Sequence, residues 1–173
     1  MICGPMFAGK TSELMRRVNA ARGDGVVCSV FKPARDNRYG AAGALKTHDG
    51  RTLDAAAVGD VGAIAAAAAG AGLVAIDEGH FFGDALVGPV MELVNAGKLV
   101  LVAGLERDHR GGPFAPFEKL LIEADEVHKL SVPCARCGRP AIHSQRMSAS
   151  DERIVVGGAG MYEPRCRGCF GIL

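Results

Sequence analysis

The chain has no tryptophan, two tyrosines and seven phenylalanines, so aromatic residues fill only 5% of its 173 positions. A surface that holds single-stranded nucleic acid by base stacking needs more. Positive charge is not in excess either: 20 Lys and Arg stand against 19 Asp and Glu, a formal net charge of +1. Binding a polyanion calls for a basic surplus, so nucleic acid is not the expected partner. Long apolar runs are missing too. The longest weakly polar stretch, Val61 to Ala75, is mostly alanine and glycine, too mildly apolar to span lipid, and nothing reads as a signal peptide.

What is present suits a packed domain with a small appendage: 49% hydrophobic and 23% charged residues. Six cysteines could suggest disulfides, but four fall in two C-x-x-C pairs. Without a secretory signal that pattern indicates metal and a reducing cytosol.

The stretch Gly4-Pro5-Met6-Phe7-Ala8-Gly9-Lys10-Thr11 fits G-x-x-x-x-G-K-S/T, the phosphate-binding loop. Gly4 and Gly9 permit backbone angles that let successive N–H groups turn around an anion. Lys10 adds charge at the β/γ-phosphates, and the Thr11 hydroxyl can ligate Mg²⁺. A helix from Thr11 to Ala21 should follow, with Leu14, Met15, Val18 and Ala21 on one face, its N-terminus favouring phosphate. Only Met1, Ile2 and Cys3 precede the loop, so the feeding strand is very short and a sequence trimmed at its start is expected.

Downstream, Val26 to Phe31 reads as a buried parallel strand. Ala34 to Arg51 is a long polar loop carrying Asp36, Arg38 and His48, with Asp49-Gly50 as a hairpin-type turn. Val61 to Ala71 should be helical. Leu73 to Ile76 is a strand delivering Asp77 and Glu78 at its C-terminal end, the Walker B arrangement, with Asp77 holding Mg²⁺ through water. A helix over Asp84 to Ala96 contains Pro89 early, which implies a kink or a late start. Then come a strand, Leu99 to Ala103, a polar loop, Gly104 to Pro113, a helix, Phe117 to Ala124, and a strand, Val127 to Val132. Alternating strands and helices imply a mostly parallel sheet with helices on both faces, and ligands in such sheets sit beyond the strands' C-terminal ends.

Cys134, Cys137, Cys166 and Cys169 form two knuckles roughly 28 residues apart, a pattern of structural zinc with four thiolates and no open position. Between them Ala141 to Gln145 and Arg153 to Val156 look like strands. Gly157-Gly158-Ala159-Gly160 reads as a flap with a fixed base, the geometry of a lid.

Together these residues resemble the zinc-containing, cytosolic type of thymidine kinase, as distinct from the herpesviral type. The pieces are the stretch Gly4 to Arg17, Lys32 to Tyr39, Thr47-His48-Asp49-Gly50, Ile76 to Phe82, Gly112-Pro113-Phe114, the four cysteines, and Val155 to Gly158 leading to Tyr162. The resemblance implies an α/β fold of the P-loop, RecA-like type over residues 1–132, and a zinc-ribbon domain with a lasso-like flap over 133–173. It implies transfer of the ATP γ-phosphoryl group to the 5′-hydroxyl of thymidine, and of deoxyuridine, with Glu78 as general base. ATP and Mg²⁺ would be held by Gly4 to Thr11, Asp36, Arg38, Asp77, Gly79 and His80. The base would be held by backbone of Arg153, Ile154, Val155, Val156 and Gly157, with Tyr162 and His109 beside it. Met6, Phe81 and Leu105 would take the 5-methyl group, with Phe114 supporting the adjoining loop. A cytoplasmic homotetramer is implied, with no nucleic-acid or membrane partner.

Three positions depart from the family's usual residues: His80 for Gln, Glu106 for Asp, and His109 for an aromatic, usually Phe. At His80 the departure implies retained function with some pH dependence near neutrality; at His109 it implies weaker stacking. The alternative is a P-loop ATPase whose ribbon binds nucleic acid through Arg136, Arg139, Arg146, Arg165 and Arg167.

Overall fold

The computed structural model describes residues 1–35, 43–47, 49–148 and 160–171. Its frame is a six-stranded, wholly parallel sheet built from β1 (Ile2–Cys3), β2 (Cys28–Pro33), β5 (Ala56–Val58), β6 (Leu73–Ile76), β7 (Leu99–Gly104) and β8 (His128–Lys129). Their order across the sheet is β5-β2-β6-β7-β1-β8. Two further strands, β3 (Ala44–Lys46) and β4 (Thr52–Asp54), form an antiparallel hairpin, and the expected turn residues Asp49 and Gly50 lie between them.

Alternation along the strands assigns the helices to faces. Leu73, Ala75, Leu101 and Ala103 point to one side, where α1 (Lys10–Gly23) packs through Leu14, Met15 and Val18, joined by Leu45 and Leu53 of the hairpin. Val74, Ile76 and Val102 point to the other. There α2 (Gly62–Ala67), α3 (Val87–Asn95) and α4 (Phe117–Glu123) contribute Ile64, Val90, Leu93, Phe117 and Leu120. Helices thus cover both faces, as the alternating pattern predicts.

Several boundaries move. The expected helix Val61 to Ala71 is shorter, Gly62–Ala67, and the expected strand Ala141 to Gln145 divides into Pro140–Ala141 and His143–Arg146. Three others move for a local reason. The expected helix 84–96 starts late, at Val87, because residues Gly79–Leu86 form 3₁₀ turns interrupted at Gly83 (φ 59°, ψ −158°). Pro89 then sits in the first turn of α3, where a missing N–H is tolerated. The expected strand Val26 to Phe31 begins at Cys28, since Val26 and Val27 lie exposed, and runs on to Pro33 because Lys32 and Pro33 pair with β5. The expected strand Val127 to Val132 divides: β8 joins the main sheet, whereas β9 (Val132–Pro133) pairs with β10 (Pro140–Ala141).

The C-terminal part holds two small antiparallel sheets, β9/β10 and β11 (His143–Arg146) with β12 (Tyr162–Arg165). The expected strand Arg153 to Val156 lies outside the described residues. Among the described residues no helix is long and apolar enough to cross a membrane.

Candidate functional site

The phosphate-binding loop bridges β1 and α1. Gly4 (φ 139°) and Gly9 (φ 79°) take conformations that a side chain disfavours, and Phe7 (φ 68°) is held there despite its side chain. Gly9 precedes α1 with no side-chain cap, so the helix's first N–H groups are turned to the loop. Lys10 is buried, and its ammonium donates to the Pro5 carbonyl at 2.8 Å.

β6 ends where the sequence places it, and Asp77 follows. The Thr11 hydroxyl donates to Asp77 Oδ2 at 2.8 Å, which brings the two expected Mg²⁺ ligands together. Burial pushes the Asp77 carboxyl up to about 7, with the neighbouring Glu78 charge adding to it. A buried acid next to a second acid and a hydroxyl suits a hard divalent cation, whose charge would restore the carboxylate. Glu78 sits in the left-handed region (φ 50°, ψ 39°), with its N–H donating to Asp77 Oδ1 at 3.0 Å. A non-glycine residue held in that region commonly marks a site.

An open cavity brings these groups together. Met6, Phe7, Gly9, Lys10, Thr11, Asp77, Glu78 and Leu105 line it, along with Ser12, Lys32 and the β3 segment from Ala44 to Thr47. Gly4, Pro5 and Ala8 form the back of the loop rather than the lining. His80 is buried between the Phe81 and Phe114 rings, 4.4 and 5.0 Å between centroids. Its Nδ1 lies 3.4 Å from Glu78 Oε2 and accepts the Leu105 N–H at 3.3 Å. Gly79 and His80 are not among the lining residues; both are buried beneath the cavity-lining Glu78. Phe81 does not share the cavity with Met6 and Leu105. It lies under the Arg35 guanidinium (5.1 Å) and lines a separate hollow with Pro33 and Val58.

The expected site residues His109 and Tyr162 are not among the lining residues: His109 Nε2 meets the Arg146 guanidinium of β11, and Arg146 stands opposite Tyr162 in β12. Asp36, Arg38, His48 and the segment Arg153, Ile154, Val155, Val156 and Gly157 lie outside the described residues.

Several contributors escape sequence reasoning. Lys32 is buried and donates to the Ala44 carbonyl at 2.9 Å; a lysine at the C-terminal end of a strand was a usable signal. Ser144, whose hydroxyl accepts the Met6 N–H at 2.9 Å, carried none.

The four knuckle cysteines converge, with ligating sulfurs all within 4.8 Å of one another. A tetrahedral zinc with Zn–S near 2.3 Å needs sulfurs about 3.8 Å apart, and Cys137 and Cys166 are at 3.5 Å. The thiols cannot all ionise unaided. Arg139 helps bring Cys137 down to about 6, while hydrogen bonds with Cys137 and Cys166 push Cys169 up to about 12. A divalent cation would release those protons, so the donor set fits zinc.

A family model described as thymidine kinase matches residues 1–170 of this chain. A protein from Rhodothermus sp. (strain ITI 518) named thymidine kinase is 43% identical over 170 residues, 98% of this chain and 79% of the relative. Another of that name from Deinococcus deserti is 42% identical over 184 residues, 96% of this chain and 91% of the relative. One from Bacteroides fragilis (strain YCH46) is 37% identical, covering 98% and 85%.

Proposed function

The chain belongs to the thymidine kinase family, and on that footing we propose that it transfers the γ-phosphoryl group of ATP to the 5′-hydroxyl of thymidine, and of deoxyuridine. The observation that carries the reading is the contact of the Thr11 hydroxyl with Asp77 beside Glu78, at the mouth of a cavity that Lys10 also lines. Phosphoryl transfer through a loose transition state asks mainly for positioning and charge neutralisation. Loop N–H groups and Lys10 bind the phosphates, and Arg38 beside Asp36 adds charge. Thr11 and Asp77 would hold Mg²⁺, which supplies charge for the β- and γ-oxygens.

Glu78 accepts the proton of the 5′-hydroxyl. Its left-handed backbone sets where the side chain starts from, and the buried His80 ring lies 3.4 Å from the carboxylate. Backbone of Arg153 to Gly157 receives the pyrimidine, with His109 and Tyr162 beside it. Met6 and Leu105 stand where a 5-methyl group would pack. The reading includes a P-loop domain over 1–132, a zinc-holding ribbon over 133–173 that anchors the flap, and a cytoplasmic homotetramer. Neither the family match nor the relatives' names favour the nucleic-acid-binding ATPase.

The test is transfer of labelled γ-phosphate across a nucleoside panel. Thymidine and deoxyuridine should be phosphorylated and purine nucleosides left unchanged. No product from any pyrimidine deoxynucleoside would overturn the assignment.

A further inference from the structure

The first three residues of the phosphate loop send no N–H to an anion. Gly4 gives its N–H to Glu106 Oε2 at 2.8 Å, Pro5 has none to give, and Met6 gives its N–H to Ser144 Oγ at 2.9 Å. Both acceptors are buried. Both also come from distant parts of the chain, 102 and 138 positions away. Glu106 follows Leu105, which lines the cavity, and its carbonyl accepts the Phe114 N–H at 3.0 Å. Its carboxylate is held by Lys129 Nζ at 3.1 Å. Ser144 is two residues before Arg146 on β11, so the two share a face, and Arg146 meets His109. The loop proposed for one substrate is thereby fastened at two points to the elements that carry Leu105 and Arg146, the His109 partner, which the kinase reading sets beside the other.

We infer that Glu106 and Ser144 are positioning residues that set the γ-phosphoryl group against the acceptor hydroxyl; the inference rests on the kinase reading above. In the productive arrangement the γ-phosphorus bonds to the 5′-oxygen, the hydroxyl proton goes to Glu78, and ADP leaves. When the loop drifts, a water oxygen takes the same phosphoryl group, and ADP leaves with inorganic phosphate. Displacements of about 1 Å cost on the order of a hundredfold in a reaction that depends on alignment. Detached fastenings therefore lower transfer and raise the share of hydrolysis. A residue that only stabilises the fold would lower the amount of active protein and leave that share unchanged.

The experiment counts ADP and nucleoside monophosphate formed by the full chain with ATP, Mg²⁺ and saturating thymidine. It compares wild type, Glu106→Gln, Ser144→Ala and the conservative Ser144→Thr, each checked by circular dichroism to be folded at the assay temperature. Wild type should give one ADP per monophosphate. Glu106→Gln and Ser144→Ala should lower the transfer kcat about tenfold and raise the ratio to at least about two, and Ser144→Thr should bring it back towards one. If Glu106→Gln does not fold, Ser144→Ala alone decides. A ratio of one in every folded variant, whatever its kcat, overturns the inference while the kinase reading stands. A wild-type protein that phosphorylates no pyrimidine deoxynucleoside overturns both.

Discussion

Replacing Gly4 by alanine isolates what the phosphate loop demands of its first residue. At φ 139° the backbone lies where side chains are rarely accommodated, a strain of about 1–3 kcal/mol. A Cβ there would lie 2.5 Å from the Leu130 carbonyl oxygen. That oxygen cannot simply withdraw. The Leu130 N–H donates to the Cys3 carbonyl at 2.8 Å, and Ile2 and Cys3 pair with His128 and Lys129. Relief requires β1 and β8 to part or Gly4 to rotate, and rotation breaks its hydrogen bond to Glu106. A hydrogen bond to a charged group contributes about 1.5–3 kcal/mol. Together the two effects predict a loss of about 3–5 kcal/mol, a large share of a typical domain's stability.

Gly97 provides the comparison. It too has positive φ (76°), after α3, but an added Cβ would meet nothing within 4 Å, so Gly97→Ala should lose only about 1–2 kcal/mol. Urea unfolding followed by circular dichroism, with the slope of the transition checked for constancy, gives both values. If Gly4→Ala loses no more than Gly97→Ala, the crowding against Leu130 and the bond to Glu106 do not matter as argued.

Glu78→Gln should lower kcat at least a hundredfold while nucleotide affinity stays within about threefold; calorimetry with a non-hydrolysable ATP analogue beside steady-state rates checks both. Zinc chelation should speed hydrogen exchange in β9 to β12 well before β6 and β7, and uniform loss of protection would mean that the ribbon is part of the main core. His109→Phe should lower the thymidine KM through better stacking on the base, and an unchanged or raised KM would refute its placement. His143 is buried against the Phe170 ring, and burial holds its pKa below the ordinary 6.5. Its neutral form is the folded one, so stability is full above pH about 6.5 and falls as acid protonates the unfolded chain preferentially. Thermal midpoints between pH 7.5 and 5 should fall more steeply in wild type than in His143→Phe, and equal slopes would remove His143 as the cause.

The sequence was most legible where one residue type had one physical use. Leu73 to Ile76 is apolar throughout because the strand is buried on both faces, and its limits match the structure residue for residue. The C-x-x-C pairs announced a cluster, and the sulfurs do converge. The hairpin and β5 were not legible. Strands of three residues, Ala44–Lys46, Thr52–Asp54 and Ala56–Val58, are too short to show alternation; the first two pair with each other, and the third is held by β2, more than twenty positions earlier. The same limit hid Ser144. Its importance comes from facing Met6, 138 positions away in the chain, which no local pattern records.

The brevity of β1 has a consequence for how the molecule comes into being. A strand of two residues cannot hold the anion cradle by itself; its neighbours are β7 and β8, and the bracing atoms belong to Glu106 and Leu130. The strand that leads into the cradle is thus completed by one translated well after it. A nascent polypeptide whose Leu130 is still inside the ribosome carries every letter of the nucleotide motif and no wall to brace it against.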